Sequence, residues 1–344
     1  MFRSIRWILA ALLTLAAAAL GAAPRDGLDV RVSAATPVLH GDVDVFVTVT
    51  VTNTTRHPVH VLSWQLPSEE IEGSLFKITR DGEAVPYTGP LVKRAPPQSK
   101  DHVRLDPGAT LSYEVELTAA YDLSKSGRYA IEYASRGAQG TNTAALQSDT
   151  LYLWLEGRSG KGGVQAAPPG VAAGPVTYSS CSATQQSALV AAVTAATNYS
   201  NGAVSYLGGR SSATPRYTTW FGAFSQTGWD TAKSHFTAIK GAFDSQPLAF
   251  DCRCKKKTTY AYVYANQPYK IYLCGAFWSA PVTGTDSRAG TLFLEVSHFS
   301  VVAGTDDWAY GQTAAKNLAL SDPTKALDNA DSHEYFAENT PAQQ

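Results

Sequence analysis

The chain has 344 residues, a formal net charge of −1 and four cysteines. At roughly 150 residues per domain, this length predicts two domains, each able to bury its own core. The near-zero charge and a single short basic run at residues 253–257 argue against nucleic acid as a partner. A hydrophobic content of 44% excludes general disorder.

The first 23 residues have the pattern of a secretory signal peptide. Arg3 and Arg6 precede an apolar run over residues 7–20, and three small residues follow it. The run is shorter than the roughly 20 residues that span a bilayer, and no later segment is long and apolar enough. We therefore expect a secreted, extracellular protein without a membrane anchor, whose cysteines are candidates for disulfides.

Residues 24–156 are expected to form an all-β sandwich. Over residues 42–52 the sequence alternates with period two, and the valines at positions 43, 45, 47, 49 and 51 share one face. Shorter alternating segments follow at residues 111–117, 129–133 and 151–155, separated by turn sequences. Many short strands and little helical periodicity are typical of a sandwich.

Residues 157–175 are predicted to be a linker. They are rich in Gly, Ala and Pro and contain Arg158 and Lys161, a composition typical of a flexible, protease-accessible segment. The segment is either a simple tether or a processing site that frees the C-terminal domain from a pro-domain.

Residues 176–344 are predicted to form an α+β, mainly helical domain. Helical spacing of apolar residues predicts helices over 183–199, 229–243, 286–302, 311–320 and 325–336, with strands over 248–254, 258–266 and 270–274. This domain holds all four cysteines, which are Cys181, Cys252, Cys254 and Cys274. Three disulfide pairings are open, and zinc ligation by Cys252 and Cys254 is a rival interpretation.

Two motifs near the C-terminus indicate chemistry. Glu295 and His298 have the spacing of the last two residues of H-E-x-x-H, in which two histidines four apart bind zinc and the Glu acts on its water. Leu294 stands where the first histidine belongs, and L-E-x-x-H alone also fits a buried helix with one His. Residues 304–311 then read G-T-x-D-x-x-Y-G, which contains Asp307 and Tyr310.

These motifs, in this order and with the segment at residues 328–339, closely resemble the aspzincin (deuterolysin-like) metalloendopeptidases, specifically the peptidyl-Lys branch. The resemblance implies a zincin-like peptidase domain with one Zn²⁺ per chain, of which His298 and Asp307 are ligands. It implies that Glu295 activates the zinc-bound water and that Tyr310 supports the oxyanion of the transition state. It also implies the disulfides Cys181–Cys252 and Cys254–Cys274.

The resemblance implies specificity for lysine in protein or peptide substrates, through Asp331 with Glu334 nearby. The charge pattern agrees, because seven acidic residues follow position 300 and only two lysines do. A desolvated ammonium group needs carboxylate partners, although any one of these acids could equally lie on a solvated helix face. His333 is expected to orient the site rather than to bind metal.

Leu294 is the departure from the family pattern, since a leucine side chain has no lone pair to offer a metal. Disturbing even the residues behind a metal ligand commonly costs 10–100-fold in affinity or activity, and losing a ligand should cost more. Three hypotheses follow: a pseudopeptidase that binds lysine-containing peptides without cutting them, a weak enzyme that recruits Glu295 or a water as ligand, or a substitution in an otherwise active enzyme.

The sequence thus predicts a multidomain, secreted precursor of a zinc metalloendopeptidase that cleaves at lysine, with impaired activity. Its β-sandwich pro-domain is expected to cover the cleft or to assist folding. The rival class is a catalytically silent peptide-binding protein. A structural or adhesive β-sandwich protein is a third class, which leaves the constellation from Glu295 to Glu334 unexplained.

Overall fold

The structure, a computed structural model, describes residues 27–68, 71–135, 145–160, 176–209 and 211–344. The predicted signal peptide at residues 1–23 lies outside the described residues, and so does the linker prediction from residue 161 onwards. Within the described ranges, no helix is both long enough and apolar enough to cross a bilayer.

The N-terminal half, residues 27–160, is built of strands and two single 3₁₀ turns over its described part. The strands are β1 (Leu28–Ser33), β2 (Val38–His40), β3 (Phe46–Asn53), β4 (Val59–Leu62), β5 (Phe76–Arg80), β6 (Glu83–Val85), β7 (Pro90–Arg94), β8 (His102–Leu105), β9 (Thr110–Glu116), β10 (Gly127–Ser135), β11 (Leu146–Gln147) and β12 (Leu151–Glu156). One sheet has the order β1-β3-β9, a second has the order β2-β12-β10-β5-β6 with β11 beside β10, and β4 pairs with β8.

The two larger sheets share one hydrophobic core, which explains the period-two patterns. In β3, Val47, Val49 and Val51 are buried, and they pack with residues of the second sheet such as Tyr129 and Leu153. Burial of such side chains stabilises each by about 1.5–3 kcal/mol. The all-β prediction is confirmed for the described residues in this coarse form, while a separate pro-domain stays a prediction.

The predicted strand at residues 42–52 begins too early. Val43 is 45% exposed, and β3 starts only at Phe46. The backbone carbonyl of Val43 accepts a hydrogen bond from Arg158 Nη1 (2.6 Å), and Asp42 accepts one from the Ser159 N–H (2.9 Å). The chain therefore leaves the sheet here to contact the start of the predicted linker.

The C-terminal half, residues 176–344, combines eight helices with four strands over its described part. The helices are α1 (Ala183–Gly208), α2 (Pro215–Phe221), α3 (Gln226–Ser245), α4 (Gly275–Ser279), α5 (Arg288–His298), α6 (Gln312–Ser321), α7 (Pro323–Leu327) and α8 (Ala330–Glu338). The strands are β13 (Thr177–Ser179), β14 (Ala249–Asp251), β15 (Thr259–Tyr264) and β16 (Lys270–Leu273). The prediction of a mainly helical α+β fold is confirmed.

The sequence patterns missed two helices, α2 and α4, and predicted one helix over residues 325–336 where there are two. Helix α2 has a Thr214 cap followed by Pro215 at its first turn, a start signal that was readable in the sequence. The predicted helix at 325–336 is two helices, α7 and α8, because the side chain of Asn329 between them bonds to the loop at residues 308–309. Its side chain accepts hydrogen bonds from the backbone N–H groups of Trp308 and Ala309 (2.9 Å each).

The core of the C-terminal half lies between helices α1, α3, α5 and α8 and the sheet. Two disulfides, Cys181–Cys252 and Cys254–Cys274, join strand ends in this half, and they are the pairing that the family resemblance implies. The rival interpretation, zinc ligation by Cys252 and Cys254, is wrong because both sulfurs are bonded to other cysteines.

The sheet of the C-terminal half contains a strand from the N-terminal half. Its order is β13-β14-β16-β15-β7, and β7 runs antiparallel to β15 with Val92 opposite Tyr262. Without β7, strand β15 would be the edge of this sheet, with its backbone groups unpaired on one side. The sequence patterns treated the two halves as self-contained and did not predict this pairing.

Candidate active site

Helix α5 carries three of the residues singled out by the sequence. Ser287 caps the helix by accepting a hydrogen bond from the Gly290 N–H (2.9 Å), and the whole segment from residue 289 to 298 is buried. Leu294, Glu295 and His298 are each fully buried. Since residues four apart lie on one helix face, Leu294 stands one turn before His298 on the same side.

The loop after α5 brings Asp307 to His298. His298 Nδ1 donates to the Thr305 carbonyl (2.7 Å), and the hydroxyls of Ser297 and Thr305 are hydrogen-bonded at 2.7 Å. These bonds leave His298 Nε2 facing Asp307 Oδ1 at 3.4 Å. Sequence reasoning missed Ser297 and Thr305, although Thr305 belongs to the motif at residues 304–311.

Several polar atoms at this point are buried without a hydrogen-bond partner among the described residues. They are His298 Nε2, Asp307 Oδ1 and both carboxyl oxygens of Glu295. Buried polar groups in proteins are almost always satisfied. Such a cluster of open donor and acceptor atoms therefore indicates a site that receives a ligand.

Burial and mutual charge shift the pKa values of these groups. Burial raises the pKa of Glu295 to about 8, and the Asp307 charge acts in the same direction. Burial alone would lower the pKa of His298, but the carboxylate of Asp307 outweighs it and raises the value to about 9. Burial opposes ionisation of Asp307, yet His298 holds its pKa below the usual range.

The open atoms of His298 and Asp307 are two possible donors to a metal. Catalytic zinc sites use three protein ligands and one open position. The described residues contain no group of three His, Cys, Asp or Glu placed to hold a metal. Leu294 is a fully buried apolar side chain on this face of the helix.

Tyr310 lies at the border between the two halves. Its hydroxyl oxygen is 3.5 Å from Arg94 Nη1, and its ring meets Trp64 edge-on at 6.5 Å between centroids. Burial, helped by the charge of Asp307, raises the pKa of Tyr310 well above its usual value. The side chain therefore stays a neutral phenol, which can donate a hydrogen bond.

A second cluster, here named the lysine pocket, consists of Tyr260, Asp286, Glu334 and Tyr335. It encloses the side chain of Lys93, which comes from β7 and is fully buried. Lys93 Nζ forms an ion pair with Glu334 and lies 3.5 Å from Asp286 Oδ1. The same atom lies 5.4 Å and 5.6 Å from the ring centres of Tyr260 and Tyr335, in reach of a cation–π interaction.

The lysine pocket keeps the ammonium group charged. Burial alone would lower the pKa of Lys93, but the carboxylates of Glu334, Asp331 and Asp286 outweigh it and raise the pKa well above its usual value. Burial raises the pKa of Glu334, and the Lys93 charge opposes that shift. The Lys93 charge therefore favours the ionised form of this buried carboxyl group against the effect of burial.

Asp331, the expected lysine-binding acid, has a different contact. Its Oδ1 accepts a hydrogen bond from the Gly311 N–H (2.7 Å), so it holds the loop that carries Tyr310. Burial raises its pKa to about 6, while the nearby Lys93 charge opposes the shift. Glu334 and Asp286, and not Asp331, form the ion pairs with Lys93.

His333 faces away from the site. Its Nδ1 donates to the Asn329 carbonyl (2.9 Å), its Nε2 is 3.0 Å from His235 Nδ1, and its ring stacks on Phe236. Burial lowers its pKa to about 3, so it is neutral. Its hydrogen bonds go to Asn329 and His235, and a role in orienting the site stays a prediction.

The backbone of β7 passes over the open atoms. The Val92 N–H donates to Asp307 Oδ2 (3.1 Å), and the backbone amide of Lys93 acts on Glu295, lowering its pKa. The backbone of residues 92 and 93 therefore lies over Asp307 and near Glu295. No sequence pattern pointed to Lys93, because it lies more than 200 positions before its partner Glu334 and in the other half of the chain.

Gly290 permits the close packing of α5 against α8. A Cβ added there would lie 2.1 Å from Glu338 Oε1 and 2.7 Å from Glu334 Oε1. We expect Gly290→Ala to push both acids away and to destabilise the fold by about 1–3 kcal/mol, the usual cost of overpacking. Thermal unfolding measures this, with Gly241→Ala of α3 as control, because nothing lies within 4 Å of a Cβ there. Equal stability of the two variants would contradict the close contact.

Helices packed on a mixed sheet thus place Glu295, His298 and Asp307 beside an acidic pocket that encloses a lysine. Comparisons with known proteins identify the family. The family described as lysine-specific metallo-endopeptidase matches residues 206–338. The chain is 46% identical to an extracellular protease of Aeromonas hydrophila, over 92% of this chain and 93% of that protein. It is 40% identical to a peptidyl-Lys metalloendopeptidase of Grifola frondosa, over 96% and 98% of the two chains.

A solved zinc peptidase from Grifola frondosa is 53% identical and covers 48% of this chain and all of its own, with a TM-score of 0.46. The long, well-covered sequence matches place the protein plainly: it belongs to the aspzincin family of lysine-specific metalloendopeptidases. The predicted family is thereby confirmed.

Proposed function

We propose that the protein is the secreted precursor of a peptidyl-Lys metalloendopeptidase whose activity is impaired by Leu294. One observation supports the lysine specificity: the fully buried Lys93 is paired with Glu334, while the N–H of the residue before it, Val92, donates to Asp307 (3.1 Å). A cleft that holds a lysine side chain and presents the preceding peptide bond to a carboxyl group is suited to hydrolysis before lysine.

The roles of the chain's own residues follow from their positions. Glu334 and Asp286 bind the ammonium group of the substrate lysine, and the Tyr260 and Tyr335 rings cover it. Glu295, near the backbone of Lys93, is placed to deliver a proton to the leaving amine. Tyr310, a neutral phenol, is placed to donate a hydrogen bond to the oxyanion, a contribution often worth about 3 kcal/mol.

Zinc is the family's metal, and this chain presents only His298 and Asp307 for it. A third donor at position 294 would give the three-ligand set that catalytic zinc requires. Leucine cannot supply it, so we propose that one Zn²⁺ per chain binds weakly at most and that turnover is correspondingly low.

The domain plan supports export and processing. We propose a signal peptide at residues 1–23, a pro-domain at 24–156, a linker with a processing site at 157–175 and the peptidase domain at 176–344. The separate cores of the two halves support the division. The name of the Aeromonas hydrophila relative, an extracellular protease, supports secretion.

A second candidate function is a silent pseudopeptidase that captures lysine-containing peptides. The incomplete donor set favours it, because the lysine pocket needs no metal to bind its ligand. In this alternative Glu295 and Tyr310 remain in place but no peptide bond is cut.

Cleavage of a peptide with one internal lysine separates the two functions. We expect Leu294→His to raise zinc-dependent cleavage before lysine by more than about 100-fold, since a lost ligand should cost more than a disturbed neighbour of a ligand. The substitution is made in full-length chains that also carry Lys93→Ala, which leaves the lysine pocket free. Mass spectrometry of the products identifies the bond.

The matched control is the double variant Leu294→His/His298→Ala, which again has a single imidazole and should be as slow as the unsubstituted site. If the chain with Leu294 cuts as fast as the Leu294→His variant, the impairment is wrong. If neither cuts while both bind lysine peptides, the pseudopeptidase is favoured.

A further inference from the structure

We propose that β7 occupies the cleft as a built-in substrate mimic, so that the N-terminal half competes with peptides for the lysine pocket. The inference deepens the proposed function, since it takes the cleft to be a lysine-peptide site. Three independent contacts support it: backbone pairing with β15, the side chain of Lys93 in the lysine pocket, and the backbone at Glu295 and Asp307.

The backbone pairing is that of an added strand. Residues 90–94 run antiparallel to β15, with Leu91 opposite Val263 and Val92 opposite Tyr262. An extended peptide that adds to a sheet edge gains its affinity from main-chain hydrogen bonds and its specificity from pockets for alternate side chains. Strand β15 is such an edge, and β7 is the peptide that the chain itself supplies.

The side chain of Lys93 has no reason to be buried for stability alone. A buried ammonium is costly to desolvate and is retained only with carboxylate partners. An apolar residue at this position of β7 would avoid the desolvation cost of an ammonium group. Lys93 instead fills a pocket whose acids belong to the other half, 241 positions away in the case of Glu334.

The register points at one bond. With Lys93 in the lysine pocket, the preceding residue, Val92, donates its N–H to Asp307 (3.1 Å), and the backbone of Lys93 lies near Glu295. A substrate that binds in the same way presents the bond before its lysine to Glu295. The interface also includes ion pairs of Glu72 with Arg94 and with Lys256, which hold β7 in this register.

Peptide binding to the full-length chain tests the proposal without any need for activity. The probe is fluorescein-labelled Pro-Leu-Val-Lys-Arg, the sequence of β7, and a matched probe has norleucine in place of lysine. Binding is followed by fluorescence polarisation in EDTA, so that metal-dependent hydrolysis cannot consume the probe. We expect Lys93→Ala to bind the lysine probe at least tenfold more tightly than the unsubstituted chain and to discriminate against norleucine.

The control is Lys77→Ala, which removes an exposed lysine from β5 of the same half and should leave binding unchanged. Lys93→Met, which keeps the bulk of the side chain, serves as the second variant if Lys93→Ala does not fold. The proposal is overturned if neither Lys93 variant binds better than Lys77→Ala, or if the two probes bind equally. Absence of cleavage in Leu294→His chains would count against the proposed function and leave this result intact.

Discussion

Replacing Glu295 by glutamine should lower cleavage before lysine by a factor of 10²–10⁴, the range that a positioned proton-transfer group contributes. The substitution belongs in the Leu294→His/Lys93→Ala chain, where the proposed ligand set is complete and the lysine pocket is free of Lys93. Glutamine keeps the shape of the side chain but cannot carry a proton between reacting groups. The measurement is kcat/KM on a peptide with one lysine.

Zinc content of the same variant provides the control. Glu295 is not one of the proposed ligands, which are His298 and Asp307. We therefore expect Glu295→Gln to hold as much zinc as its parent. A loss of zinc together with activity would show that Glu295 is a ligand, as in the hypothesis of a weak enzyme with a substitute donor.

The second large effect concerns Glu334. In the Lys93→Ala chain, Glu334→Gln should weaken binding of the lysine probe by roughly 10²–10³-fold, because removing one partner of a buried ion pair costs about 3–5 kcal/mol. Binding of the norleucine probe should change little. The two probes and the two chains form a double-mutant cycle, whose coupling energy isolates the pair.

Equal losses for the two probes would mean that Glu334→Gln damaged the fold and not the recognition of the ammonium group. If Asp331→Asn weakens binding of the lysine probe and Glu334→Gln does not, Asp331 is the acid that binds the lysine, as the sequence led us to expect. Asp331 is bonded to the Gly311 N–H, so its replacement should act on the Tyr310 loop.

Glu295, His298 and Asp307 could be predicted from the sequence because they lie close together in the chain. Glu295 and His298 share one turn of α5, and Asp307 follows within the motif at residues 304–311. The local bonds of Thr305 then suffice to bring Asp307 to 3.4 Å from His298. The sequence spacing and the local hydrogen bonds therefore both bring Asp307 next to His298.

The lysine pocket was only partly predictable. Glu334 was singled out from the acidic C-terminal end, but Tyr260 and Asp286 come from other elements, and no periodic pattern links them. Lys93 was out of reach because its partners depend on the pairing of β7 with β15, which is a tertiary contact between two halves. A strand pattern predicts burial and alternation but not which sheet the strand joins.

The same limit explains the errors in the fold. The side chain of Asn329, between α7 and α8, accepts a hydrogen bond from the Trp308 N–H, and the helix is broken there. Helical periodicity alone predicted one continuous helix. Val43 continued an alternating pattern beyond the end of the sheet. In each case a contact distant in sequence overrode a local preference.

We propose that the site is one ligand short of a catalytic zinc centre, at Leu294. The most direct test is the zinc affinity of the full-length chain, measured by competition with a chelator of known affinity and compared with the Leu294→His variant. We predict that the natural chain binds zinc more than about 100-fold more weakly than the Leu294→His variant. Equal affinity of the two chains, with one tightly held zinc in each, would contradict it.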